Sequence, residues 1–196
     1  SYKKFKDTAP IISVENPPVG MGLARAEDLR EIVELARKKF VKEAQENLHL
    51  SAHEAKLQAD KLIGVTWDVG HINMLRGHGY EEKHIVGQTK EIAPYVKHVH
   101  LSDNFGMAHT ELPMGMGNVP TKKMLELINK YNKQVKKIAE TGTWFEPFKF
   151  TPVKQTLSAF GSSVYGANGP YWNQIADASA GYFVGQGAVN PDIHHS

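Results

Sequence analysis

The chain has 196 residues, 41% hydrophobic and 22% charged, with a formal net charge of +2, the balance of an ordinary globular protein with room for one sizeable domain. So small a charge, with no long basic run, argues against nucleic acid as the main partner, and the absence of cysteine excludes disulfide stapling and thiolate metal sites. No apolar run approaches the roughly 20 residues a membrane helix needs, and the opening Ser1-Tyr-Lys-Lys-Phe-Lys6 lacks the apolar core of a signal peptide, so no membrane partner and a cytoplasmic location are expected.

Residues 10–15 read as a short buried strand, and the breakers in Asn16-Pro-Pro-Val-Gly-Met-Gly22 follow it as a loop. Residues 26–47 have helical period, with Leu29, Ile32, Val33, Leu35, Ala36 and Phe40 expected on one face. Ser51 and Glu54 have the spacing of a capping box and open a second helix, to about residue 62. Gly64 ends that helix, and a strand over 65–69 follows, then a loop from Gly70 to Gly79. Glu81 to Val96 is helical in pattern, with Pro94 at or beyond the helix end.

A strand over 96–101 leads into a long Gly-, Met- and Pro-rich loop, 102–120, and loops of that length are usually functional or mobile. Thr121 is expected to cap a helix over 122–132, and a strand over 135–140 follows. The remaining chain, from 143, is aromatic and glycine-rich, with helices expected near 152–160 and 171–180.

Strand and helix alternate, which implies parallel strands joined by right-handed crossovers. Each strand also ends in a group that can bind a metal or move a proton. Ile11-Ile-Ser-Val-Glu15 ends in a carboxylate, Gly64-Val-Thr-Trp-Asp68 in another with His71 three residues on, Val96-Lys-His-Val-His100 in an imidazole with Asp103 beyond it, and Val135-Lys-Lys-Ile-Ala-Glu140 in a third carboxylate. A (β/α) barrel assembles its active site in this way, from the C-terminal ends of several strands. Three carboxylates and one imidazole suit Mn, Zn, Co or Mg. A closed barrel has eight strands and usually at least about 200 residues; four strands make half of one. The expected organisation is a half-barrel carrying the metal site over residues 1–150, with a helical or irregular tail over 151–196 that packs on it or on a partner.

The segments Val14-Glu15-Asn16, Asp68-Val-Gly-His71, His98-Val-His100-Leu-Ser-Asp103-Asn104 and Leu112-Pro-Met-Gly115-Met-Gly117 together resemble the xylose isomerase-like TIM-barrel superfamily. That superfamily contains sugar (phosphate) isomerases and epimerases, inosose dehydratases and endonuclease IV-type AP endonucleases. The resemblance spans about residues 10–141 and matches strands five to eight, the C-terminal half of the barrel. It implies Glu15, Asp68, His100 and Glu140 as ligands of a divalent metal, with Glu15 and Glu140 also shuttling the proton in the epimerase branch. It implies that His71 contacts substrate hydroxyls or, in the endonuclease branch, a further zinc. The superfamily's loop often reads Asp-x-His-Leu-Pro-x-Gly-Glu-Gly, whereas here it reads His109-Thr-Glu111-Leu-Pro-Met-Gly-Met-Gly. The acid and the imidazole are exchanged, which can preserve a ligand pair, and Met116 stands where the Glu would be.

Bland roles compete with these. Asp103 either faces substrate or stabilises the turn at Asn104-Phe-Gly. His109 and Glu111 either contact substrate or are merely solvated. Glu146 competes with Glu140, and His98 shares a strand face with His100, so that one of the pair can be structural. Trp67 either packs or stacks on a sugar ring. His49, His53, His78 and His84 are expected to face solvent. The favoured function is a metal-dependent isomerase or epimerase, acting on a sugar or sugar phosphate through an enediolate. The alternatives are an endonuclease IV-like zinc phosphodiesterase and a non-catalytic half-barrel assembly module. A half-barrel also calls for a homo-oligomer or a complementary half-barrel as partner, since its inner face is otherwise bare.

Overall fold

The computed structural model describes residues 2–142 and 151–161. Four strands, β1 (Ile12–Glu15), β2 (Ile63–Asp68), β3 (Val96–Leu101) and β4 (Lys136–Ala139), form one sheet in that order. All three pairings are parallel. Parallel crossovers are right-handed, so a strand order that never reverses direction puts every crossover helix on one face. This is the arrangement of a (β/α) barrel, and four of its βα units are present. A doubly wound sheet would reverse and cover both faces.

The helices are α1 (Tyr2–Phe5), α2 (Ala26–Leu48), α3 (Ala52–Leu62), α4 (Val69–Asn73), α5 (Glu82–Ile92), α6 (Thr121–Asn129) and α7 (Val153–Ala159). Leu29 and Val33 of α2, Ile85 and Ile92 of α5 and Met124 and Ile128 of α6 meet Val65, Trp67 and Val99 of the sheet, all 0% exposed. The opposite face carries Thr66, His98, His100 and Ile138 in register, and there Ile138 is 52% exposed. Among the described residues, helices therefore seal one face, and the other is left open at Ile138. Trp67 belongs to the sealed face, where its Nε1–H donates to Thr89 Oγ1 at 3.0 Å, which rules out stacking on a ligand at the open face.

Several elements differ from expectation, each for a local reason. The buried stripe of α2 runs Ala26, Leu29, Val33, Ala44, while Leu35 is 58% exposed and Ala36 is also exposed. The stripe passes through Arg37 instead. Its guanidinium donates to the Ile63 carbonyl at 3.0 and 2.8 Å and to Asp60 Oδ1 at 2.8 Å, tying the helix to the first residue of β2. The 70–79 segment is not a loop but α4 followed by a 3-10 turn, Met74–His78. Asp68 caps it by accepting from Gly70 N–H and His71 N–H, so the strand-end acid also starts the helix. Thr121 is the first residue of α6 rather than its cap; Pro120 takes the cap position and the Thr121 hydroxyl has no partner. The capping box at Ser51 and Glu54 forms as expected.

The β2–β3 register shifts between Val65 and Thr66. Lys97 lies over Gly64 there, where any Cβ would collide with it and with the Tyr95 carbonyl. His49, His53, His78 and His84 are all exposed. The helix expected near 171–180, the tail aromatics from Trp144 to Trp172, Glu146 and the C-terminal His194 and His195 lie outside the described residues. No described helix is long and apolar enough to cross a membrane.

Candidate metal centre

Parallel register places the strand ends side by side. Glu15 pairs with Thr66, Asp68 with His100, and His100 with Ile138, while the Glu140 N–H donates to the Leu101 carbonyl just past β4. One ligand atom from each of Glu15, Asp68, His100 and Glu140 falls within 4.8 Å of the other three.

His100 Nδ1 is the centre of this group. Glu15 Oε1 and Glu140 Oε2 both lie 2.8 Å from it. One ring nitrogen carries at most one proton. Glu15 takes the hydrogen bond, and Glu140 Oε2 is left buried without a donor. Asp68 Oδ2 is likewise buried and unpartnered, although Oδ1 accepts from Gly70 N–H at 2.7 Å, His71 N–H at 2.9 Å and Ser102 Oγ at 3.1 Å. Orphaned carboxylate oxygens are costly in a protein interior. Two of them beside an imidazole, in a group of three acids, make a donor set that fits a divalent cation. Burial pushes the Asp68 carboxyl above the usual carboxylate range; the neighbouring His71 draws it back and the negative Glu140 raises it further.

Asn16, the residue after β1, fixes this geometry. Its side chain donates to the Asp68 carbonyl at 3.0 Å and accepts from the Asp68 N–H at 2.7 Å, and its own carbonyl lies 2.7 Å from His71 Nδ1. Only an Nδ1–H can donate to that carbonyl, so in the neutral ring it is Nε2 that carries the lone pair, as is usual for a metal-ligating histidine. Nε2 faces His109 Nε2 at 2.8 Å, and His109 Nε2 lies 3.1 Å from Glu111 Oε1. His71, His109 and Glu111 thus form a second group with one atom each inside 4.8 Å. It abuts the first, with His71 Nε2 at 3.7 Å from Asp68 Oδ2 and His71 Nδ1 at 3.9 Å from Glu15 Oε1.

All the expected site residues except Asp103 therefore meet in two adjoining clusters. Asp103 is 0% exposed, and its carboxylate accepts from the N–H groups of Asn104, Val119 and Gly115. Its oxygens serve the loop, the turn-stabilising one of its two expected roles. Burial raises its pKa to about 6 against the pull of those backbone donors. His98 packs edge-on against His100, ring centroids 4.9 Å apart, and contributes no ligand atom to either cluster. Burial and the His100 ring hold His98 below the usual imidazole pKa. Leu112, Met114 and Met116 are buried and pack the loop.

Two contributors escaped the sequence reading. Ser102 has the same strand parity as His98 and His100, which was a usable signal. Asn16 directly follows the strand-end Glu15, but nothing in its position announces a double hydrogen bond to a residue 52 positions away.

Searches among curated proteins and among solved structures returned no match. The profile of the family described as xylose isomerase-like TIM barrel matches residues 15–149, from Glu15 to beyond Glu140, the first and last of the tetrad Glu15, Asp68, His100 and Glu140. That match covers more than half of the sequence and takes in the last residue of β1, the whole of β2, β3 and β4, and the acids and imidazole at the strand ends: the chain belongs to the xylose isomerase-like TIM-barrel family.

Proposed function

We propose that this chain is a metal-dependent isomerase or epimerase of a sugar or sugar phosphate. The observation that carries the reading is the placement of Glu15 and Glu140. They come from the two outermost strands and close on His100 Nδ1 from either side, each at 2.8 Å. Their side chains are 37% and 38% exposed, whereas that of Asp68 is 0% exposed. Glu15 and Glu140 can therefore reach a substrate carbon, and Asp68 can only ligate.

A divalent ion held by Glu15, Asp68, His100 and Glu140 would polarise the substrate carbonyl and acidify the neighbouring carbon. One glutamate removes the proton from that carbon and the other returns one to the enediolate, so no net proton is gained or lost. His71 and His109 lie beside the tetrad and orient substrate hydroxyls. Exclusion of water from this chemistry requires the open sheet face to be covered, by a complementary half-barrel or a second copy of the chain.

Deuterium incorporation tests the reading. Keto sugars and their phosphates, incubated in D2O with Mn²⁺ or Co²⁺, should gain one deuterium at the reacting carbon. Glu15→Gln and Glu140→Gln should each abolish the exchange. Protein that binds the ion but exchanges no substrate in the panel would sink the proposal.

A second reading has an observation of its own. The cluster of His71, His109 and Glu111 offers two nitrogens and one oxygen, a set suited to zinc, next to the tetrad. Multi-metal sites cut phosphodiesters, and an endonuclease IV-like activity would follow. The cations nearest in sequence favour the first reading. Arg76 is committed to Asn73, Glu82 and Asn118, and Lys97, near the start of β3, lies over Gly64 at the end of β2 away from Asp68. Zinc stoichiometry above one per chain, with cleavage of an oligonucleotide containing an abasic site, would move the assignment to the hydrolase.

A further inference from the structure

The loop at 102–120 contributes His109 and Glu111 to the second cluster, yet it contains neither helix nor strand. Two tiers of hydrogen bonds hold it. A two-residue bridge joins Asp103 and Leu112, with N···O distances of 2.8 and 2.7 Å, and closes the arm that carries His109 and Glu111. The Asp103 carboxylate then grips both ends of the loop: Oδ1 accepts from Asn104 N–H and Val119 N–H at 3.0 Å each, and Oδ2 accepts from Gly115 N–H at 2.9 Å. Gly117 lies so close that a Cβ there would collide with Asp103 Oδ1.

Asn104 ties this assembly to the turn that bears His71. Its Nδ2 donates to the Gly70 carbonyl at 2.9 Å, and its Oδ1 accepts from Gly106 N–H at 2.8 Å and Asn73 Nδ2 at 3.0 Å. Gly70 and Asn73 lie on α4, on either side of His71.

We propose that Asp103 and Asn104 are positioning residues, a buried clamp that sets the loop against α4 so that His109 and Glu111 meet His71 before any metal or substrate arrives. The clamp touches no reacting group. It deepens the reading of the second cluster as part of the site and rests on that reading for its purpose, but not for its existence.

The test uses metal-free protein and needs no activity, so its failure is separate from that of the proposed reaction. In the unmodified chain, the amides of Asn104, Gly115 and Val119 should exchange with solvent as slowly as those of β3; exchange at open-loop rates would overturn the clamp outright. In Asp103→Asn, an amide NH2 faces one of the N–H donors that the carboxylate served. The expected result is at least ~10-fold faster exchange across 104–119, with the ¹⁵N ring signals of His109 moving to solvated values while those of His100 stay in place. His109 signals that do not move, or His100 signals that move equally, would reduce Asp103 to a general structural role and overturn the proposal. Should Asp103→Asn fail to fold, Asn104→Ser provides the second variant, read by the same signals against the same outcomes.

Discussion

Asp68 and His100 sit on paired strands and Glu15 one strand further out, so the spacing of a hydrogen-bonded ladder sets how far apart their side chains can be. His109 and Glu111 reach the neighbouring cluster from a loop, and their positions depend on Asp103, Asn104 and one bridge to Leu112. The two clusters use similar side chains and lie within 4 Å of each other, but a strand ladder fixes one, while the other rests on a loop held mainly by side chains. The tetrad should therefore be broken only by removing its ligands or the residue that pins β1 to β2. The trio should be broken by changes that never touch a ligand.

The largest effect belongs to the tetrad. Asp68→Ala removes the one fully buried carboxylate of the proposed metal site and should lower affinity for Mn²⁺ or Zn²⁺ by more than about a hundredfold, since loss of an outer partner alone typically costs ~10–100-fold. Titration calorimetry reads this directly. His109→Ala, by contrast, should leave the tetrad's affinity within about twofold of the original. Equal losses in the two variants would mean that the clusters form one site and that the division is false.

Asn16→Ala comes next and strikes the scaffold. It leaves the N–H and C=O of Asp68 buried without partners, at about 1–3 kcal/mol for each lost group. Unfolding by urea in the presence of a chelator should show a loss of roughly 2–4 kcal/mol, and the affinity for metal should fall about tenfold as Asp68 shifts.

This difference in scaffolding also explains what the sequence disclosed. Strand parity and position were enough to find Glu15, Asp68, His100 and Glu140, because in a parallel sheet the last inward residue of each strand must lie near the others. The same logic covers the sealed face, from Val65 to Val99. It failed where a polar side chain did a hydrophobic residue's work, as with Arg37 in the α2 stripe. It failed again at 70–79, where Gly70 and Gly79 read as loop punctuation although Asp68 caps a helical turn between them. Asp103 was ambiguous because its partners, Gly115 and Val119, are distant in sequence and donate through the backbone, which leaves no mark on residue type.

The loop's clamp has a pH signature. Asp103 has a pKa of about 6 in the folded chain, against roughly 3.9 in an unfolded one. Between these values the folded state binds more protons than the unfolded state, so stability is fully present below about pH 4 and is lost as pH rises through about 6. The shift corresponds to about 3 kcal/mol across that window. Asp68 is shifted in the same direction, so the quantity to compare is the slope of the urea midpoint with pH in Asp103→Asn against the original chain. A variant whose slope matches the original would show that Asp103 keeps an ordinary carboxylate pKa and that its burial is not felt as a charge.

The smallest expected change in stability is the most selective for the trio. Glu111 has a backbone φ of +43°, a conformation that a residue with a side chain adopts only when its surroundings hold it there. Its side chain lies against Gly142, two residues past Glu140: a Cβ at that position would run into the Glu111 carboxylate. Gly142 is itself exposed, with φ +37°, so Gly142→Ala adds strain of about 1 kcal/mol and disturbs little else. The alanine methyl and the Glu111 carboxylate cannot occupy the same space, and the carboxylate is the freer of the two to move. Gly142→Ala should therefore expel Glu111 from His109 and weaken any ion held by His71, His109 and Glu111 by at least about tenfold. The tetrad, reached through Glu140 on the same chain segment, should keep its affinity within about twofold. Gly79→Ala, also at positive φ (+83°) but where an added Cβ meets nothing within 4 Å, is the matched control. A Gly142→Ala variant that loses both sites together would show that β4 and the loop move as one unit. The trio would then owe its position to the strand after all, and the contrast between ladder and loop would not hold.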